Sequence, residues 1–293
     1  MRVTQSVITR TLLQTLSHSK ESLHKKQVML STGKAIEKPS SDPVNYSKAE
    51  NFKRKIERNN SFLQNVEDAL GWVDNTNSIL DNIYSNVIRL KGIAIQGADK
   101  SLNDLERKTL SEQVEAIIDN VVSAANSTYL GKYVFAGTST KGEKPFTYDG
   151  NQVIYNGNEG KIYRRVADNY SIVLNVTGSQ FASTGIFETM INLRDALAAD
   201  DQPTVASLIE NIDEVGEKIM NLNAGVGSVR KQLELVKSRL EMANVNLSSY
   251  LSQAEDVDMA EAITSYNVEE TAYKAALRVT ANAIQLTLFS FLQ

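Results

Sequence analysis

Val229, Leu233, Val236, Leu240, Ala243, Leu247, Tyr250, Ala254 and Val257 recur at alternating steps of four and three. A stripe with that period runs along one side of an α-helix, and over so many turns it requires a second long helix to cover it. An earlier run fits: Ile56, Leu63, Val66, Leu70, Val73, Leu80, Tyr84, Val87 and Ala94 keep the same phase, with Asn59, Asn77 and Lys91 in the remaining seam slots. Polar residues in a seam fix register at some cost in stability. A further helix carries Leu110, Val114, Ile117, Val121 and Ala124 on one face, and another spans Ile186 to Leu197. Proline occurs only at Pro39, Pro43, Pro145 and Pro203, so most of the chain is free to be helical.

The two ends repeat the theme on a smaller scale. Leu16, Leu23 and Leu30 stand at heptad spacing, with Leu12 a turn earlier; Gly33 is placed to stop that helix. Lys38-Pro39-Ser40-Ser41-Asp42-Pro43 reads as a break and restart, with Asp42 as cap and Pro43 in the first turn. Near the other end Asp258 and Glu261 form a capping box for a last helix. That helix carries two stripes: Ala272, Ala276, Val279, Ala283 and Leu286, and Leu277, Ala281, Ile284, Leu288 and Phe291. One apolar face needs one partner; two need two. The narrow first stripe cannot offset, by burial alone, the entropy of ordering its own segment. The ends are therefore expected to order fully only when neighbouring copies cover them, and Leu12, Leu16, Leu23, Leu30, Leu277, Ile284, Leu286, Leu288 and Phe291 are the expected assembly interface. The competing arrangement is a monomer in which the ends pair only with each other.

Between the helical halves the texture changes. From Tyr129 to about Phe181 the chain is rich in Gly, Tyr, Val and Thr. Short strands are predicted at Tyr133–Ala136, Phe146–Tyr148, Gln152–Tyr155, Lys161–Val166 and Ser171–Val176, with Asp149-Gly150 and Asn156-Gly157 as hairpin signals. The predicted fold is thus mainly α, an elongated helical rod with discontinuous terminal segments and a small inserted β-rich domain. Its expected divisions are 1–42 (N-terminal core helix), 43–128 (first half of the rod), 129–185 (insert), 186–257 (second half of the rod) and 258–293 (C-terminal core helix).

Several function classes lose support. His18 and His24 are the only histidines and do not meet on one helical turn, and there is no cysteine, so neither a thiolate metal site nor a serine triad is expected. Gly225-Val226-Gly227 lacks the rest of a dinucleotide fingerprint and is read as a tight backbone approach within the rod. Glu255, Asp256 and Asp258 lack the loop glycine and spaced oxygens of a calcium site and are read as capping and solvated groups. No enzyme activity and no cofactor are expected. The net charge of −4 is mild, and Lys48, Lys53, Arg54, Lys55 and Arg58 surround Phe52 and Ile56 in helical phase, which suits a solvated helix face better than a nucleic-acid footprint. No stretch is apolar enough for membrane insertion, and MRVTQSVITRTLLQTLSHSK is not a conventional secretory signal.

Several separated motifs then carry a resemblance. Leu30-Ser31-Thr32-Gly33-Lys34, followed by Lys38 to Pro43, resembles the N-terminal stretch of the flagellin superfamily. Asn126-Ser127-Thr128-Tyr129-Leu130-Gly131-Lys132-Tyr133-Val134-Phe135-Ala136-Gly137, with Pro145-Phe146, Tyr148-Asp149-Gly150 and Tyr155-Asn156-Gly157, is similar to the insert of its hook–filament junction family, hook-associated type three. Gly225 to Arg230, Asp258 to Ala262, and the ending from Leu286 to Leu292 resemble flagellin-type C-terminal helices. The resemblance spans essentially the whole chain. It implies a structural axial subunit of the bacterial flagellum, a ring-like homo-oligomer between a hook-side junction protein and flagellin. Export would proceed through the flagellar type III apparatus with an export chaperone, to an extracellular location and without a cleaved signal. Ser40-Ser41-Asp42-Pro43 favours the junction family over flagellin itself, which is the nearest alternative. A non-flagellar secreted coiled-coil assembly protein is the next.

Overall fold

In the computed structural model the structure describes residues 5–291, with side chains at 7 and over 10–282. The element order is α1 (Gln5–Thr32), α2 (Pro43–Gly97), α3 (Asp104–Ala125), β1 (Thr128–Tyr129), β2 (Lys132–Tyr133), β3 (Phe146–Tyr148), β4 (Val153–Tyr155), β5 (Tyr163–Ala167), β6 (Tyr170–Val173), α4 (Gly178–Ala182), α5 (Ile186–Ala198), α6 (Gln202–Glu255) and α7 (Met259–Phe291). The chain divides into two compact units: Met1–Arg58 with Ala243–Gln293, and Asn59–Met242.

The middle unit holds the hydrophobic core, a cluster running from Phe62 to Leu240. Val66, Val73, Leu80, Val87 and Ala94 of the predicted α2 stripe are buried, as are Leu233, Val236 and Leu240 of the α6 stripe. Polar groups flank the α2–α6 seam: Arg230 donates to Asp74 at 2.7 Å, Asn223 to Asp81 at 2.6 Å and Lys91 to Asp213 at 2.8 Å. The seam residue Lys91 thus reaches a partner at the edge of the helix pair, whereas Asn77 Oδ1 is buried with no hydrogen bond.

Among the described residues the strands form three separate antiparallel hairpins, β1–β2, β3–β4 and β5–β6. Asp149-Gly150 links β3 to β4 as predicted, with Gly150 at φ 93°. Asn156-Gly157 does not join two strands. Asn156 instead extends the β3–β4 ladder by donating to the Pro145 carbonyl at 2.8 Å, and the second turn falls between Ala167 and Tyr170. The predicted strand Tyr133–Ala136 is also shortened: Val134 still donates to the Ser127 carbonyl at 3.2 Å, but Phe135 and Ala136 leave the ladder, and all three are fully buried. Phe135, Phe146, Phe181 and Phe187 meet in one cluster, with centroids 5.3 to 5.9 Å apart, which ties the hairpins to α5. Arg194 of α5 adds a polar anchor by donating to Glu115 of α3, to Tyr148 Oη and to the Gly150 carbonyl at 3.0, 2.5 and 2.6 Å.

Two glycine readings change. Gly225 and Gly227 have nothing within 4 Å of where a Cβ would stand, so no tight approach explains them. Gly71, in the middle of α2, is one of the positions of close contact: a Cβ there would collide with the Tyr129 hydroxyl.

The terminal unit is built differently. α1 packs along α7, and the start of α2 meets the end of α6 through Phe52 and Tyr250, whose rings are 5.9 Å apart. Among the described residues its buried apolar side chains are only Ile36, Ala49 and Ala262.

Candidate functional site

The breaks that delimit the terminal helices follow from local chemistry. Gly33, at φ 70°, ends α1 in the left-handed conformation that glycine adopts without strain. Asp42 Oδ1 accepts from the Val44 and Asn45 amides at 3.1 and 3.0 Å, opening α2. The Asn45 amide in particular holds the Asp42 carboxyl below its ordinary range. Asp258 Oδ1 accepts from Ala260 and Glu261 at 2.9 and 3.2 Å, opening α7.

The two breaks are fastened to each other. Ala35 N donates to the Glu255 carbonyl at 2.7 Å and Val257 N to the Gly33 carbonyl at 2.9 Å, an antiparallel bridge centred on Lys34 and Asp256. The Glu255 side chain is buried and accepts from Lys34 Nζ at 2.7 Å and from Lys53 Nζ of α2 at 3.0 Å; Lys53 also reaches Glu50 at 3.1 Å. Burial alone would raise the Glu255 pKa, but the hydrogen bonds and charges of Lys34 and Lys53 outweigh it and hold the carboxyl below its usual value. Glu255 is therefore neither a solvated group nor a cap; it is the hub of a clasp that joins the end of α1, α2 and the end of α6.

Beyond the clasp, Leu12, Leu16, Leu23 and Leu30 are all half-buried and share a four-three stripe with Ser19, whose hydroxyl lies 3.5 Å from Glu269 of α7. The α1 leucines thus line the seam toward α7 of their own chain. The covered stripe of α7 comprises Ala262, Tyr266, Glu269, Tyr273, Ala276 and Thr280. Leu277 falls outside it and is 41% exposed. Of the first predicted α7 stripe, Ala276 is half-covered whereas Ala272 and Val279 are exposed. Val268, Ala272, Ala275 and Val279 form an exposed small-apolar stripe, and Ile263, Leu277 and Ala281 stand exposed beside it. The side chains of Ile284, Leu286, Leu288 and Phe291 lie outside the described residues. The structure brings the leucines of α1 onto the α1–α7 seam and separates Leu277 from it.

Sequence reasoning missed the Lys34–Glu255–Lys53 clasp. The available signal was an acidic residue at the junction of two helices, with lysines near the other junction. Among the described residues no helix is long and apolar enough to cross a membrane.

Residues 3–140 match the bacterial flagellin N-terminal helical region, and residues 209–292 match the bacterial flagellin C-terminal helical region. The chain is 22% identical to flagellar hook-associated protein 3 of Escherichia coli strain K12 and 23% identical to that of Salmonella typhimurium, each alignment covering 99% of both chains. Its fold is similar to that of Bacillus cereus FlgL, with a TM-score of 0.62 at 23% identity over 69% of this chain and 99% of that one.

Proposed function

The chain belongs to the flagellin family, and on that premise we propose that it is a structural subunit of the flagellar axis at the junction between hook and filament. One observation carries the mechanism. The apolar core stops at Phe62 and Leu240, while the terminal unit, with few buried apolar groups of its own, exposes Leu13, Ile263, Val268, Leu277 and Val279. Exposed apolar stripes on paired helices are covered by further helices when copies assemble.

In this reading residues 1–42 and 258–293 supply the inner assembly core. Leu12, Leu16, Leu23 and Leu30 hold α1 on α7. Leu277, with Ile284, Leu286, Leu288 and Phe291, meets neighbouring copies. One end of the ring of copies contacts a hook-side junction protein and the other receives flagellin, outside the cell, after chaperone-assisted export through the flagellar type III apparatus. The role is mechanical and needs no catalytic group. Deleting the gene tests it: intact hooks with flagellin shed into the medium are expected, restored to filaments by the wild-type chain. Filaments of normal length on the deletion strain would overturn the junction role.

A further inference from the structure

Between Ile219 and Leu233, α6 fully buries one apolar side chain, Val226, with Leu222 and Val229 half-buried beside it. The turns before bury Ile212, Val215 and Ile219, and the turns after bury Leu233, Val236 and Leu240. Gly225 and Gly227 flank Val226. Both lie inside the helix with nothing within 4 Å of where a Cβ would stand, so neither a turn nor a close contact calls for them. Glycine within a helix is destabilising relative to alanine, and a Gly-Ser pair such as Gly227-Ser228 is a place where helices bend.

The facing stretch of α2 is weakened in the same place. Glu67–Lys237, Asp74–Arg230, Asp81–Asn223 and Lys91–Asp213 pair the two helices in one antiparallel register, which sets Asn77 opposite Gly227. On either side of Asn77, the Thr76 hydroxyl donates back to the Trp72 carbonyl at 2.8 Å and the Ser78 hydroxyl to the Asp74 carbonyl at 3.0 Å. Such back-bonding weakens the helical ladder and bends it. Asn75 Nδ2, Asn77 Oδ1 and Asn223 Oδ1 are buried there without a hydrogen bond, which destabilises the packed arrangement. α3 also stops at this level: Ser123, Ala124 and Ser127, at and just past its end, line one groove with Ser78 and Ile79.

We propose that this level is a hinge, about which the α2–α6 pair bends at residues 75–78 and 225–228. This deepens the junction reading and rests on it. Asp74–Arg230 at 2.7 Å and Asp81–Asn223 at 2.6 Å hold the register on either side, so the helices bend together rather than slide. A hinge needs a few positions that absorb the change between packed elements that move as bodies. The well-filled turns at 212–219 and 233–240 are those elements, and the thin core at Val226 lets them tilt without unpacking. A subunit held between a hook-side protein and flagellin has unlike neighbours, and one bend accommodates both.

Because the chain has no cysteine, the bend can be read with paired spin labels. In the purified full-length protein, Glu217→Cys and Glu241→Cys place exposed labels on α6 on either side of the hinge, about 36 Å apart at the helical rise. Adding Gly225→Ala and Gly227→Ala should narrow the distance distribution about two-fold and slow amide exchange at residues 222–230 about ten-fold, with a thermal midpoint at or above wild type. In the deletion strain the double-alanine chain, without label sites, should reach flagella in normal amount yet support fewer filaments and slower swimming. Ser238→Ala, at an exposed α6 position outside the hinge, also raises helix propensity and should swim as wild type. An unchanged distance distribution, or a stiffened chain that swims normally, would overturn the hinge and leave the junction role standing. A lower thermal midpoint would show that the glycines serve the fold, and equal impairment by Ser238→Ala would show that stability rather than bending matters; either result would also overturn it. Filaments of normal length on the deletion strain itself would overturn the junction role.

Discussion

The Lys53 ammonium lies 3.0 Å from the Glu255 carboxylate, joining α2 to the end of α6 across 202 positions of sequence. Lys34 reaches the same oxygen at 2.7 Å, so one buried carboxylate fixes the segment after α1 and the segment before α7 together. Glu255→Gln keeps the shape and removes the charge that both lysines share. A loss of about 1.5–3 kcal/mol in the stability of the terminal unit is expected, the range for hydrogen bonds to charged groups. Amide exchange should accelerate in residues 33–36 and 255–258 while the core between Phe62 and Leu240 keeps its protection. Unchanged exchange at Ala35 and Val257 would show that the backbone bridge holds without the ion pairs.

The same carboxylate has a pH signature. Its folded pKa is depressed, so its contribution is fully present above the unfolded value of a glutamate, roughly 4.3, and is lost as pH falls through the lower folded value. Acid should therefore loosen the clasp in wild type and make less difference in Glu255→Gln. Exchange at Ala35 and Val257 measured from neutral to acid pH checks the sign.

Tyr148 behaves in the opposite direction. Burial, reinforced by its hydrogen bond to Glu115, pushes the phenol up to about 12. A raised folded pKa means that the contribution is complete below the unfolded value of about 10 and fades as pH climbs through the folded one. The β3–β4 hairpin should thus loosen in strong base, and Tyr148→Phe should blunt that dependence. Ultraviolet titration of tyrosinate, comparing wild type with Tyr148→Phe, identifies the late-ionising group.

Gly71→Ala should cost about 1–3 kcal/mol, the usual penalty of overpacking, because the new methyl group collides with the Tyr129 hydroxyl. The chain's single tryptophan, Trp72, is adjacent and reports the change by fluorescence. Tyr129→Phe removes the nearest clashing atom, so the double variant should recover part of the loss. A Gly71→Ala protein as stable as wild type would mean that Tyr129 leaves α2 at no cost.

These residues also mark what a sequence discloses. The α2 and α6 stripes, the stop at Gly33 and the caps at Asp42 and Asp258 are local or periodic, and each is legible because neighbours in sequence determine it. The burial of Glu255 is not legible in the sequence, because it depends on lysines brought together only by tertiary packing. Gly71 sits in a helix whose period says nothing about a tyrosine fifty-eight positions later. Asn156-Gly157 has hairpin composition, yet the ladder is already closed at Asp149-Gly150, and Asn156 is used to extend it. Periodicity assigned two stripes to α7, but it could not say that α1 would cover a third line through Ala262, Tyr266 and Tyr273 and leave both edges open.

That open surface supplies the most direct test of assembly. Leu277 is 41% exposed in the chain by itself, so an aspartate there remains solvated and should change monomer stability by no more than about 0.5 kcal/mol. In an assembled core the same aspartate would be buried against a neighbouring helix with no partner for its charge, which packed interfaces do not tolerate. Leu277→Asp should therefore abolish filament attachment and motility while the thermal unfolding of the purified monomer stays within error of wild type. Leu12→Asp is the contrasting variant: Leu12 is half-buried on the α1–α7 seam, so a charge there should weaken the helix pair within the monomer as well. If Leu277→Asp cells swim normally, the exposed edge of α7 is not an assembly surface. If both variants destabilise the monomer equally, the two leucines are not doing different jobs.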